Sequence, residues 1–165
     1  MSFQIKNILV AKDLSKESSR VVRYALELAS KFHAQVHVLN VMPTVDPSVL
    51  NMVALTMGAD TLAELNAQHE KEMKEKIENQ LHRIIQQEAR LVEEEIAHPP
   101  QVEVHHGDPA PVILSVADHL GVDMIILGSH SKGKLHYAFL GSVSEKVLRK
   151  THRTVMIVPP QADDD

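Results

Sequence analysis

The chain has 165 residues, 44% of them hydrophobic and 3% aromatic, with no Cys and no Trp. This suits one domain with an aliphatic core, and it excludes a disulfide frame, a thiolate nucleophile and a zinc–thiolate site. The formal net charge of -5, carried in part by Glu93, Glu94 and Glu95 and by the tail Asp163, Asp164 and Asp165, disfavours nonspecific nucleic-acid binding. A phosphate site must therefore be built locally, from backbone and a few side chains. Residues 1–7 lack a basic region followed by an apolar core, and no apolar run approaches the roughly 20 residues that span a bilayer. A soluble, cytoplasmic protein without a membrane span is expected, organised as one domain over residues 1–160 with an acidic tail at 161–165.

Residues 5–11, with the apolar run Ile8-Leu9-Val10-Ala11, read as a strand covered on both faces. Ser15 stands where it can cap a following helix, in which Val21, Val22, Ala25, Leu28, Ala29 and Phe32 recur at helical spacing. Val36-His37-Val38-Leu39-Asn40-Val41 is a second strand. A single helix between two strands implies parallel pairing and a right-handed crossover. Residues 42–60, with two prolines and mixed polarity, read as an excursion or partly helical lid. A long amphipathic helix is expected over residues 61–95, with Leu62, Leu65, Met73, Ile77, Leu81 and Ile84 facing the sheet and a solvated outer face. A coiled-coil partner is the alternative use of so long a periodic stretch.

His98-Pro99-Pro100 breaks that helix. Residues 101–106 alternate as a strand with one polar face, suited to a sheet edge. Asp108 and Pro109 begin another helix, with Val112, Ile113, Val116, Ala117 and Leu120 as its buried stripe and Gly121 at its end. Residues 122–127 form a fourth strand, followed by the small cationic stretch from Gly128 to Gly133. Gly141-Ser142 opens a further helix, and residues 154–159 are the fifth strand.

This alternation predicts an α/β sandwich around a parallel sheet, whose ligands bind beyond the carboxyl ends of the strands. Asp13, Val41, Gly107 and Gly128 then share one rim. Strand, glycine loop and helix N-terminus in succession suit an anion, because unpaired N–H groups and the positive helix end coincide. Ser142 and Glu145 also have capping-box spacing, which would give Ser142 a use without any ligand. The eleven histidines form no metal motif: His105 and His106 are adjacent on a strand and point to opposite faces.

Gly128, Ser131 and, after nine intervening residues, Gly141-Ser142 resemble the G-x-x-G, nine residues, G-[ST] signature of nucleotide-binding universal stress proteins, with serine at the second glycine. Ile8 to Ser15, Gly107-Asp108-Pro109-Ala110, Met124 to His130, Leu140 to Ser144 and Thr154 to Pro159 occur in the order of that family, so the resemblance spans nearly the whole chain. It implies a three-layer, Rossmann-like fold of the adenine-nucleotide alpha-hydrolase type, with a five-stranded parallel sheet in the order 3-2-1-4-5. It implies ATP or AMP as ligand, with Mg or Mn held through the phosphates, and a homodimer formed through Val155, Met156, Ile157 and Val158. By the same resemblance Ala11, Lys12 and Asp13 meet the adenosine, Val41 meets the adenine through its backbone, and Leu127 and Gly128 lie beside the ribose and phosphates. His130, Ser131, Gly133, Gly141, Ser142, Val143 and Ser144 then complete the phosphate cradle.

Other readings of these residues stay open. Asp13 serves a turn or helix cap as well as a ribose. Lys132 and Lys134 are either phosphate partners or solvated loop charges. No catalytic constellation is visible, so the enzymatic alternative is at most slow ATP hydrolysis, with His130 or Asp13 orienting water. A second alternative is a nucleotide-free dimer that acts through contacts with a protein partner.

Overall fold

A computed structural model describes residues 2–15, 18–129 and 140–161. The elements in chain order are β1 (Asn7–Ala11), α1 (Ser19–Phe32), β2 (Gln35–Met42), α2 (Pro47–Met57), α3 (Ala59–Ala89), β3 (Gln101–His106), α4 (Pro109–Leu120), β4 (Met124–Gly128), α5 (Ser142–Lys150) and β5 (Thr154–Val158). All strand pairs are parallel and the sheet order is β3-β2-β1-β4-β5. The expected 3-2-1-4-5 sheet is therefore observed, with β3 at an edge.

Strand periodicity divides the core into two layers. Ile8, Val10, Val36, Val38 and Ile126 pack with Val22, Ala25 and Leu26 of α1 and with Ile77, Leu81 and Ile85 of α3. Leu9, Leu39, Ile125 and Leu127 face the other way, onto Ala110, Ile113, Val116 and Ala117 of α4 and Val147 of α5. Val10 sits in register between Val38 and Ile126. Runs that are apolar at every position are what a sheet covered on both faces demands.

One local expectation is made specific and two change. The stretch 42–60 contains a regular helix, α2, started by Pro47 in its first turn and by Asp46, whose Oδ1 accepts the Ser48 N–H at 2.8 Å. The long helix ends at Ala89 rather than near residue 95, and only its C-terminal part reaches the core. Ile77 and Leu81 are buried, whereas Leu65 is 51% exposed and Met73 38% exposed. Ile85 is more buried than its neighbour Ile84. The reason is length: α3 has 31 residues, about 46 Å at 1.5 Å each, and β1 has five. Its first half extends past the sheet and packs on α2. Finally, the residue preceding α1 is Ser18, without a side-chain cap, while Ser15 is engaged with Asp13 instead.

Candidate functional site

The end of β1 is held by polar groups from three directions. Lys12 N–H donates to Leu39 O at 2.9 Å, and the Asn40 side-chain amide donates to Lys12 O at 2.9 Å. Asp13 Oδ1 accepts both the backbone N–H of Ser15 (2.9 Å) and its hydroxyl (2.5 Å), which folds residues 13–15 into an Asx-type turn. The Lys12 ammonium reaches Asp13 O at 2.8 Å, Ser15 O at 2.8 Å and Ser18 Oγ at 2.6 Å. Burial lowers the Lys12 pKa to about 8 against the pull of Asp13 and Glu88. Burial also pushes the Asp13 carboxyl upward, but hydrogen bonds from Ser15 and Ser18 and the charge of Lys12 outweigh it, and its pKa falls below the ordinary value. Asp13 is thus an ionised carboxylate at neutral pH, and it serves its own turn.

Across the sheet, β4 delivers Leu127 and Gly128, and α5 starts close by. Gly141 N–H donates to Ser129 O at 2.6 Å, and Glu145 N–H makes the first intrahelical bond, to Gly141 O at 3.0 Å. The amides of Ser142, Val143 and Ser144 precede that bond and belong to the first turn, whose N–H groups have no partner within a helix. Ser144 is turned the other way, its hydroxyl donating to Gly128 O at 2.8 Å. The capping box expected from Ser142 and Glu145 does not form. Gly141 occupies the N-cap position with no side-chain cap, so Ser142 lies inside the helix, and Glu145 instead accepts from Arg149 at 2.6 Å. The α5 amides therefore keep their positive end without a serine oxygen over it.

Both arms border one cleft of about 1460 Å³ beyond the carboxyl ends of the strands. Its lining includes Ala11, Lys12, Asp13, Val41, Leu127, Gly128, Gly141, Ser142, Val143 and Ser144. Every candidate residue that lies among the described ones is thus brought together. His130, Ser131 and Gly133 lie outside the described residues, as do Lys132 and Lys134.

The remaining walls carry no sequence motif. Met42, Pro43, Val45 and Leu50 border the cleft from the segment after β2, and His69, Glu70 and Met73 border it from α3. His106 closes the β3 side, its Nε2 4.0 Å from Glu70 Oε2. A signal was present for part of this: His69, Met73 and Ile77 follow steps of four on α3 and so share a face. Among the described residues no three His, Asp or Glu side chains are grouped to hold a metal ion, and no helix is long and apolar enough to cross a membrane.

The sequence and the fold have counterparts in known proteins. The model of the universal stress protein family matches residues 4–159. Universal stress protein MJ0577 of Methanocaldococcus jannaschii is 26% identical over 158 residues, covering 96% of this chain and 97% of that protein. Universal stress protein Sll1388 of Synechocystis sp. is 29% identical over 153 residues, covering 92% and 96%. The solved structure of MJ0577 superposes with a TM-score of 0.67 at 25% identity, over 98% of this chain and 100% of that one. A universal stress protein solved in complex with cAMP superposes with a TM-score of 0.63 at 17% identity, over 94% and 98%.

Proposed function

The chain belongs to the universal stress protein family, and we propose that it binds an adenine nucleotide, ATP or AMP, and acts as a dimeric stress-response regulator in the cytoplasm. The observation that carries this reading is the convergence on one cleft of the ends of β1, β2 and β4 with the first turn of α5. These four segments supply different chemistry. Asp13 offers an ionised carboxylate to ribose hydroxyls, and the Val41 backbone together with the apolar Met42 and Val45 suits a planar base. Gly128 and the first amides of α5 suit the phosphates, because a helix N-terminus favours negative charge. Mg or Mn bound to the nucleotide would reduce the charge brought into a chain of net charge -5. A family member of the same fold has been solved with cAMP, which supports an adenine ligand.

In this reading β5, an edge strand of the sheet, pairs two copies through residues 155–158, and the nucleotide shifts that dimer or its contact with a protein partner. A nucleotide-free dimer is the second reading, favoured by Ser131 at the second glycine of the motif. One experiment separates the two. Protein purified, denatured and extracted should release an adenine nucleotide, or the emptied protein should melt higher with ATP and Mg. Ligand at a hundred times its Kd stabilises by about 2.7 kcal/mol. A chain that comes out empty and melts at the same temperature with and without ATP overturns the nucleotide reading, and a monomer by sedimentation at micromolar concentration overturns the dimer.

A further inference from the structure

We propose that Lys12 is a positioning residue of this cleft: its buried ammonium holds the turn that presents Asp13, so nucleotide affinity depends on a side chain whose own protons are all engaged within the protein. The inference rests on the nucleotide reading given above.

Lys12 follows the apolar run of β1, and strand alternation directs its side chain to the same face as Ile8 and Val10. That face is covered by α1 and α3, and Lys12 is only 3% exposed there. An ammonium has three donors and no acceptor. Here all three are spent on the segment that follows: Asp13 O, Ser15 O and Ser18 Oγ. The backbone of Lys12 is meanwhile bonded to Leu39 and Asn40 of β2. One residue thus joins the sheet to three points of the turn. The charges facing it are Asp13 on its own segment and Glu88 of α3, and Glu88 is itself paired with Arg23 of α1 at 2.7 Å.

Removing the ammonium takes the shared cation from the Asp13 and Ser15 carbonyls and leaves them only the single hydroxyl proton of Ser18, whose Oγ lies 3.2 Å from Asp13 O and 3.0 Å from Ser15 O. The Asx bond from Ser15 N–H to Asp13 Oδ1 then loses its support, and the carboxylate is free to swing away from the cleft. A buried ammonium is costly to desolvate, and the lowered Lys12 pKa is consistent with that cost. A turn needed only to connect β1 to α1 has cheaper solutions, such as glycine or a neutral cap.

The test measures ATP affinity for the wild type, Lys12→Met, Asp13→Ala and the double variant, with inorganic tripolyphosphate as a competitor for the phosphate arm. Lys12→Met should weaken ATP about tenfold, equivalent to about 1.4 kcal/mol. It should leave tripolyphosphate affinity unchanged and add nothing further in the Asp13→Ala background, since residues acting through one another are non-additive. Lys12→Gln, also neutral but polar, should behave alike. Full additivity with Asp13→Ala, or an equal loss of tripolyphosphate, overturns the proposal. A second measurement needs no ligand: amide exchange at Ser15 should quicken about tenfold in Lys12→Met, in line with a local opening made easier. A wild type that binds no ATP overturns the nucleotide reading, whereas unchanged exchange at Ser15 overturns the tie by Lys12.

Discussion

The hydroxyl of Ser144 donates to the main-chain oxygen of Gly128 at 2.8 Å, across 16 positions of sequence, and so fixes the first turn of α5 against the end of β4. Ser144 is buried, so removing the donor leaves a carbonyl without this partner in a sheltered place. Ser144→Ala is expected to destabilise the fold by about 1–2 kcal/mol and to weaken ATP as the α5 amides lose their register with Gly128. Urea titration beside ATP titration checks both, and a variant matching the wild type in each would show that this bond positions nothing.

Gly107 follows β3 and Gly128 ends β4, with two strands between them, and they tolerate a methyl group differently. At Gly107 the φ angle is +137° and an added Cβ would lie 2.9 Å from Val112 Cγ2 on α4, whereas at Gly128 it would meet Val21 Cγ2 at an ordinary 3.5 Å. Gly107→Ala should therefore cost about 1–3 kcal/mol. Gly128→Ala should stay within about 1 kcal/mol of the wild type. Equal denaturation midpoints for the two variants would contradict this ordering.

His37 lies on β2 beneath α4, 6% exposed, and among the described residues its Nδ1 has no hydrogen-bond partner. Burial lowers its pKa below 6.5, with Glu103 opposing. The folded chain thus binds a proton at this site less readily than the unfolded chain. The neutral imidazole contributes in full above the unfolded value, and its contribution is lost as pH falls below it. His37→Leu should accordingly lose less stability than the wild type between about pH 7.5 and pH 5. Melting curves at the two pH values decide it: parallel losses would remove His37 from the acid response.

Lys12 shifts stability in the opposite part of the pH scale. Its folded pKa of about 8 lies below the unfolded 10.5, so between those values the unfolded chain holds the extra proton and stability rises with pH. The wild type should therefore gain on Lys12→Met as pH rises from about 7.5 to 9.5. At neutral pH the variant should equal or exceed the wild type in stability while binding ATP more weakly, the usual conflict between a costly site and a stable fold. Unfolding free energies at both pH values check the sign, and a constant difference would show that Lys12 titrates alike in the folded and unfolded chains.

Much of this molecule was legible in one dimension. Unbroken apolar runs such as Ile8 to Ala11 and Ile125 to Leu127 announce strands covered on both faces. The stripe Ala110, Ile113, Val116, Ala117 of α4 announces the helix that covers one of them. The resemblance to the family marked ten lining residues of the cleft, from segments more than a hundred positions apart. Less legible were α2, whose residues are mostly apolar yet none buried, and the half of α3 that lies beyond the sheet. Hydrophobic periodicity states which side of a helix is apolar, not whether anything stands opposite it.

The order of the strands, the parallel sheet and the rim on which Asp13, Val41 and Gly128 meet can be read from residue patterning alone, because each follows from short-range periodicity and from the handedness of βαβ crossovers. What those residues are fastened to follows from the folded packing. It buried Lys12 against the turn, gave the α5 cap to Gly141 rather than Ser142, and set His69, Glu70 and His106 around the same cleft. The physical reason is range: hydrogen-bond partners and desolvation depend on what folding brings within about 3 Å of an atom.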